Sequence, residues 1–137
     1  MKVGIDLGGS HIAIGVVDEN GRIIEKQERR ILDKEKQEIK TFIEEYIIKN
    51  IKEMSKKYKI TNIGIAIPGT VNKTSVIKSV NLNLENYNIV EALKKKINIP
   101  IKIKNDAKCA ALAENKYGSL KDYKRSIFIG LGTGIGG

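Results

Sequence analysis

The chain has 137 residues, 41% of them hydrophobic, with one cysteine, no tryptophan and a formal charge of +9. That length fits a single domain able to bury a core, and one cysteine excludes an internal disulfide or a cysteine metal cluster. The basic surplus invites a nucleic-acid reading, but lysine and glutamate are interleaved, and the densest run, Lys94-Lys95-Lys96, has no aromatic residues alternating with it to stack bases. The expectation is therefore a solvated basic surface and no nucleic-acid partner. No apolar run is long enough to cross a bilayer, and no charged-then-apolar leader precedes Val3, so a cytoplasmic protein with no membrane partner is expected.

Lys2 to Asp6 is a short apolar run that reads as a buried strand. Asp6-Leu7-Gly8-Gly9-Ser10-His11 follows as a glycine-rich loop. Ile12 to Asp18 reads as a second strand, Asn20-Gly21 as a hairpin turn, and Arg22 to Gln27 as a third strand. The period then changes. Ile39, Phe42, Ile43, Tyr46, Ile47, Met54 and Tyr58 fall largely on one stripe, which predicts one helix from about Asp33 to Tyr58. Thr61 to Ile67 returns to strand and ends at Pro68-Gly69. Thr74 to Val80 reads as another short strand.

Asn88 is placed to cap a helix carrying Ile89, Val90, Leu93 and Ile97. Ile101 to Ile103 is a strand. Asn105-Asp106 caps a helix from Ala107 to Tyr117, with Gly118 as its C′ stop. Ser126 to Gly130 reads as the last strand, running into Gly132-Thr133-Gly134-Ile135-Gly136-Gly137. A meander followed by alternating helix and strand predicts an α/β fold: one domain over 1–137, with a mixed five-stranded sheet and helices on both faces.

Three places in this pattern carry chemistry. Both glycine-rich loops sit where strands end, and each offers unobstructed backbone N–H groups plus a hydroxyl, Ser10 or Thr133. Such donors converge on an anion. Asp6, at the head of the first loop, is placed to hold Mg²⁺; a plain hairpin turn explains the same residues. The loop lacks the Gly-Lys-Ser/Thr ending of a Walker A motif, and no helix follows it as in a dinucleotide fingerprint. Asp106 stands between a strand end and a helix start. It is either a helix cap or a carboxylate that takes a proton from an attacking hydroxyl. Gly69 and Asn81 lie in loops that either contact a ligand or only turn the chain. His11 and Cys109 are single, so they assemble no zinc site, and Cys109 reads as a buried core thiol.

Taken together in order, Asp6-Leu7-Gly8-Gly9-Ser10, Ile65-Ala66-Ile67-Pro68-Gly69, Asn81-Leu82, Asn105-Asp106-Ala107 with Ala110-Ala111-Leu112-Ala113-Glu114, and the closing glycine run resemble a known pattern. The chain is similar, over essentially its whole length, to the N-terminal lobe of ROK-family sugar kinases such as bacterial glucokinases and N-acetylmannosamine kinases. The resemblance implies a ribonuclease-H-like lobe of the actin–hexokinase–chaperone type. It implies phosphoryl transfer from ATP to a hexose or amino-hexose hydroxyl. In that reading Asp106 is the general base and Asn105 a sugar ligand beside it, with Gly69 and Asn81 along the sugar pocket. Asp6, Gly8, Gly9, Ser10 and His11 form the first phosphate loop, with Asp6 near Mg²⁺, and Gly132, Thr133, Gly134 and Gly136 form the second.

The departures are specific. Ser10 stands where threonine is usual, and His11 where lysine or asparagine is common. Leu84 takes roughly the place of an aromatic residue after the sugar-loop Asn-Leu. The family's second lobe, with further sugar ligands, the adenine pocket and a structural zinc site, has no counterpart in these residues, so no zinc is expected here. The implied whole protein is a two-lobed homo-oligomer whose isolated lobe is nearly inactive. No helix-turn-helix precedes Met1, which points away from the family's repressor branch. The rival readings are a sugar-sensing regulator and a non-catalytic interaction domain; an acetate-type or pantothenate-type kinase is a further enzyme alternative.

Overall fold

The computed structural model describes residues 1–131 and 135–136. Strands β1 (Lys2–Leu7), β2 (His11–Val17) and β3 (Ile23–Arg30) form the expected antiparallel meander. Gly21 turns β2 into β3 at φ +84°, and the Asp18 carboxylate accepts from the Asn20 and Arg22 amides at 2.9 and 2.8 Å. Strands β4 (Asn62–Ile67) and β8 (Ile101–Asn105) extend the sheet on the other side of β1, both parallel to it. The order across the sheet is β3-β2-β1-β4-β8.

Alternation decides which face is buried. Val3, Ile5 and Leu7 of β1, Ile12, Ile14 and Val16 of β2, and Ile63, Ile65 and Ile67 of β4 all point to one side and are buried. Helices α2 (Ile39–Lys57) and α3 (Ile89–Lys94) close that side with Ile43, Ile47, Met54, Ile89 and Leu93. The opposite face is built of small or charged residues. Gly15, Gly4 and Gly64 stand level in neighbouring strands, with Lys102 beside them. Helix α4 (Asp106–Tyr117) packs on β8 and β4 from this second side, and its Tyr117 ring reaches Gly21. The five-stranded mixed sheet with helices on both faces is thus as the sequence pattern predicts.

Several details differ. The single helix expected from Asp33 to Tyr58 is two helices, α1 (Asp33–Gln37) and α2, broken at Glu38 (φ −123°, ψ 48°). The apolar stripe starts only at Ile39, so α1 buries no side chain and has no core to lie along. It follows Glu35 instead, whose carboxylate pairs with Arg29 and accepts from the Leu32 amide at 2.8 Å. Those contacts, the Arg29 hydrogen bond first, hold the Glu35 carboxyl below its ordinary range. Arg29 itself lies over the Phe42 and Tyr46 rings and ties α2 to β3.

One short strand was expected over Thr74 to Val80. A three-stranded sheet forms instead from β5 (Thr70–Val71), β6 (Val76–Ser79) and β7 (Leu84–Tyr87). Left-handed Asn83, at φ 49°, sits in the turn between β6 and β7, and Asn86, at φ 47°, lies within β7. The last strand, expected over Ser126 to Gly130, is absent apart from β9 (Gly130–Leu131), which pairs with β10 (Ile135–Gly136). Gly118 does end α4, but in an extended conformation. A Cβ there would meet the end of the Glu114 side chain, 2.1 Å from Oε2, which accepts from the Ser119 amide. Cys109 is half-buried on α4, a helix without a fully buried residue, so it is not a core thiol.

Ile65 sits in the centre of the sheet and is 1% exposed. Ile65→Ala is expected to lower the free energy of unfolding by about 2–5 kcal/mol, read from urea denaturation with an unchanged slope. Ile24→Ala, on the exposed edge strand, is expected to stay within about 0.5 kcal/mol of wild type.

Candidate active site

Strands β1, β4 and β8 run in the same direction, so their carboxyl ends finish at one edge of the sheet. The register aligns Asp6 with Ala66 and Ala66 with Lys104, then Ile67 with Asn105. Asp6, Pro68-Gly69 and Asn105-Asp106 therefore emerge side by side from strands far apart in sequence. Open parallel sheets take ligands at this edge.

The first loop turns tightly here. The Gly8 amide donates to the His11 carbonyl at 2.9 Å, and the Ile31 amide donates to the Ser10 carbonyl at 2.9 Å. Gly8 is thus engaged within the turn, while the Gly9 and Ser10 amides have no backbone partner among the described residues. Asp6 keeps its side chain 59% exposed, with His11 Nε2 at 3.8 Å. The His11 ring covers Gly8, where a Cβ would come within 2.8 Å of its Cε1 atom.

Asn105 and Asp106 divide two tasks that the sequence leaves joined. Asn105 is the helix cap: its side-chain oxygen accepts from the Lys108 amide at 3.1 Å. Its amide nitrogen donates to the Gly69 carbonyl and to Asp106 Oδ1, both at 3.0 Å. Asp106 Oδ1 also accepts from the Ala107 amide at 2.8 Å. One carboxylate oxygen is fixed from two sides, and no described residue donates to Oδ2. The geometry suits a carboxylate held in one orientation with a free oxygen presented outward.

Gly69 is bent to φ +104°, and a Cβ there would lie 2.3 Å from the Lys78 carbonyl. Ser79, next along, is 2% exposed, and its hydroxyl is buried without a hydrogen-bond partner among the described residues. Asn81 follows on the turn before β7 and lies against Gly9. Leu82 and Leu84 on either side of Asn83 are buried. Leu84 therefore anchors the loop in the core.

Burial first pushes the Cys109 thiol pKa up; Lys104 opposes, and Asp106 and Asp6 both raise it further. In the second loop, Gly132, Thr133 and Gly134 lie outside the described residues. Gly136 is in β10, paired with Gly130 in a ribbon.

The ROK family profile matches residues 2–137. The chain belongs to the ROK family. It is 31% identical over 139 residues to a glucokinase of Streptomyces coelicolor, covering all of this chain and 42% of that protein. It is 29% identical over 137 residues to the xylose repressor of Bacillus subtilis, covering 98% of this chain and 36% of the repressor. A ROK glucokinase of Streptomyces griseus, solved in complex with glucose and AMPPNP, superposes with a TM-score of 0.84 at 27% identity, covering 98% of this chain and 42% of that one. The ROK chain thus spans less than half the length of these relatives. The repressor matches the same span as the kinase, so the absence of a helix-turn-helix in these residues does not separate the two branches.

Sequence reasoning missed the small β5–β7 sheet and with it the approach of Asn81 to Gly9. The one available signal was the asparagine-rich run 81–88, since asparagine tolerates the left-handed backbone found at Asn83 and Asn86. Asn105→Ala removes the cap and the tie to Gly69, and is expected to destabilise the ROK chain by about 1–2 kcal/mol in thermal melts. Asn105→Asp keeps the cap acceptor but sets a carboxylate oxygen against the Gly69 carbonyl and Asp106 Oδ1, and is expected to lose at least as much.

Proposed function

We propose that this chain is the half of a ROK sugar-kinase site that carries the phosphate loops and the catalytic carboxylate. The reaction is transfer of the γ-phosphoryl group of ATP to a hexose or amino-hexose hydroxyl. The observation that carries this reading is Asp106, fixed at Oδ1 by Asn105 and the Ala107 amide beside the Asp6 loop. A fixed carboxylate next to an anion-binding turn is what a hydroxyl attacking phosphorus requires. The glucose- and AMPPNP-bound relative supports hexose and nucleotide as the two ligands.

In this reading the hexose hydroxyl donates its hydrogen bond to Asp106 Oδ2, and Asp106 takes the proton as the oxygen attacks. Asn105 keeps Asp106 from rotating and holds Gly69 beside the sugar; Asn81 faces the sugar from the adjoining loop. The Gly9 and Ser10 amides and the Ser10 hydroxyl meet the donor's phosphate oxygens, while Gly8 and His11 shape the turn. Gly132, Thr133, Gly134 and Gly136 belong to the second phosphate loop. Asp6 suits Mg²⁺: its side chain is 59% exposed at the head of the phosphate loop. A cation that keeps water and leans on phosphate oxygens fits such a site. When bound, Mg²⁺ supplies charge neutralisation on the phosphates.

In the form of the protein that turns over, Asp106→Asn is expected to lower kcat by about 10²–10⁴-fold, with thermal stability near wild type. Retention of kcat within a few-fold would defeat the base assignment. A second reading, a sugar-sensing regulator, is favoured by the repressor match. Hexose binding without transfer of ³²P from ATP would select it. No helix among the described residues is long and apolar enough to cross a membrane.

A further inference from the structure

Gly8 and Gly9 are adjacent glycines with different surroundings. A Cβ on Gly8 would meet only the His11 ring, 2.8 Å from Cε1 and 3.0 Å from Nδ1. That ring is the end of a side chain that can rotate away. A Cβ on Gly9 would meet Asn81: its Cβ at 2.9 Å and its backbone carbonyl oxygen at 3.0 Å. Backbone cannot rotate away, so one of the two loops would have to move. Gly9 does not occupy the left-handed region, where only Gly21 and Gly69 among the described glycines lie. Its need for glycine is the close approach itself.

The Asn81 loop has little freedom to yield. Leu82 and Leu84 are buried on one side of it and Ser79 on the other. Ser79 and Lys78 press in turn on Gly69, whose carbonyl is held by Asn105 beside Asp106. A continuous run of contacts therefore links the phosphate loop, through Gly9 and Asn81, to the carboxylate.

We propose that Gly9 is a positioning residue for the hexose: it seats the Asn81 loop against the phosphate loop, so that the donor and acceptor halves of the site are set by one backbone contact. This rests on the reading of Asn81 as a sugar-loop residue. It adds that Gly9 acts on the sugar as well as on phosphate.

Amide spectra of the ¹⁵N-labelled chain test the contact without requiring activity. Gly9→Ala is expected to shift the Asn81, Leu82 and Asn83 amides well beyond their shifts in Gly8→Ala. Adding Asn81→Gly to Gly9→Ala relieves the Cβ clash and is expected to recover part of the lost melting temperature. In glucose titrations, Gly9→Ala is expected to weaken binding by about tenfold or more, the scale of one misplaced hydrogen bond. Ile24→Ala, on the exposed edge strand, is expected to stay within about threefold by the same scale. Unmoved Asn81–Asn83 amides in Gly9→Ala, or equal loss of glucose affinity in Gly9→Ala and Ile24→Ala, would overturn the proposal. Wild-type chain that takes no glucose would instead count against the hexose reading, and the amide spectra would still decide whether Gly9 seats the Asn81 loop.

Discussion

Everything at the candidate site depends on the register of three parallel strands. Val3, Ile5 and Leu7 on β1, Ile63, Ile65 and Ile67 on β4, and Ile101 and Ile103 on β8 must all face α2 and α3. A slip of one residue in any strand would turn its isoleucines to solvent and its lysines or glycines to the core. At about 25 cal/mol per Å² of apolar surface, that error costs several kcal/mol per strand. The apolar alternation therefore sets the chemistry at a distance: it makes Asp6, Gly69 and Asn105 leave the sheet at one level.

Close backbone approach does the rest. The edge would be a set of independent loops if each only turned the chain. Gly69 against Lys78, Gly9 against Asn81 and Asn105 against the Gly69 carbonyl join them into one body. Asn105 is central to this. It caps α4, holds Gly69 and fixes Asp106 with one side chain. A single residue with both an acceptor and a donor serves the helix, the loop and the carboxylate together.

The architecture was legible in the sequence because strand alternation and helical stripes report burial directly. The meander, the β4 and β8 strands and α4 follow from isoleucine spacing, Asn20-Gly21 and the Asn105 cap. The motif residues Asp6, Gly69 and Asn105-Asp106 stood out for the same reason: each is a polar or glycine interruption at a strand end. What was not legible depends on contacts between distant segments. The break at Glu38 comes from Arg29 drawing Glu35 toward β3. The β5–β7 sheet is made of strands too short for a periodic signal. The division of labour between Asn105 and Asp106 required side-chain directions, and the different tasks of Gly8 and Gly9 required knowing what lies across from each. Ser126 to Gly130 reads as a strand because Ile127, Phe128 and Ile129 are apolar, yet only Gly130 enters one, in β9.

A glucokinase and a xylose repressor both match this chain over nearly its whole length. The most direct measurement is an amide-resonance titration of the chain with Mg²⁺-AMPPNP and then glucose. The account predicts that nucleotide moves Gly9 and Ser10 and that glucose moves Gly69, Asn81, Asn105 and Asp106. Ligand shifts confined to α2, α3 or the far ends of the strands, with this edge unmoved, would contradict it.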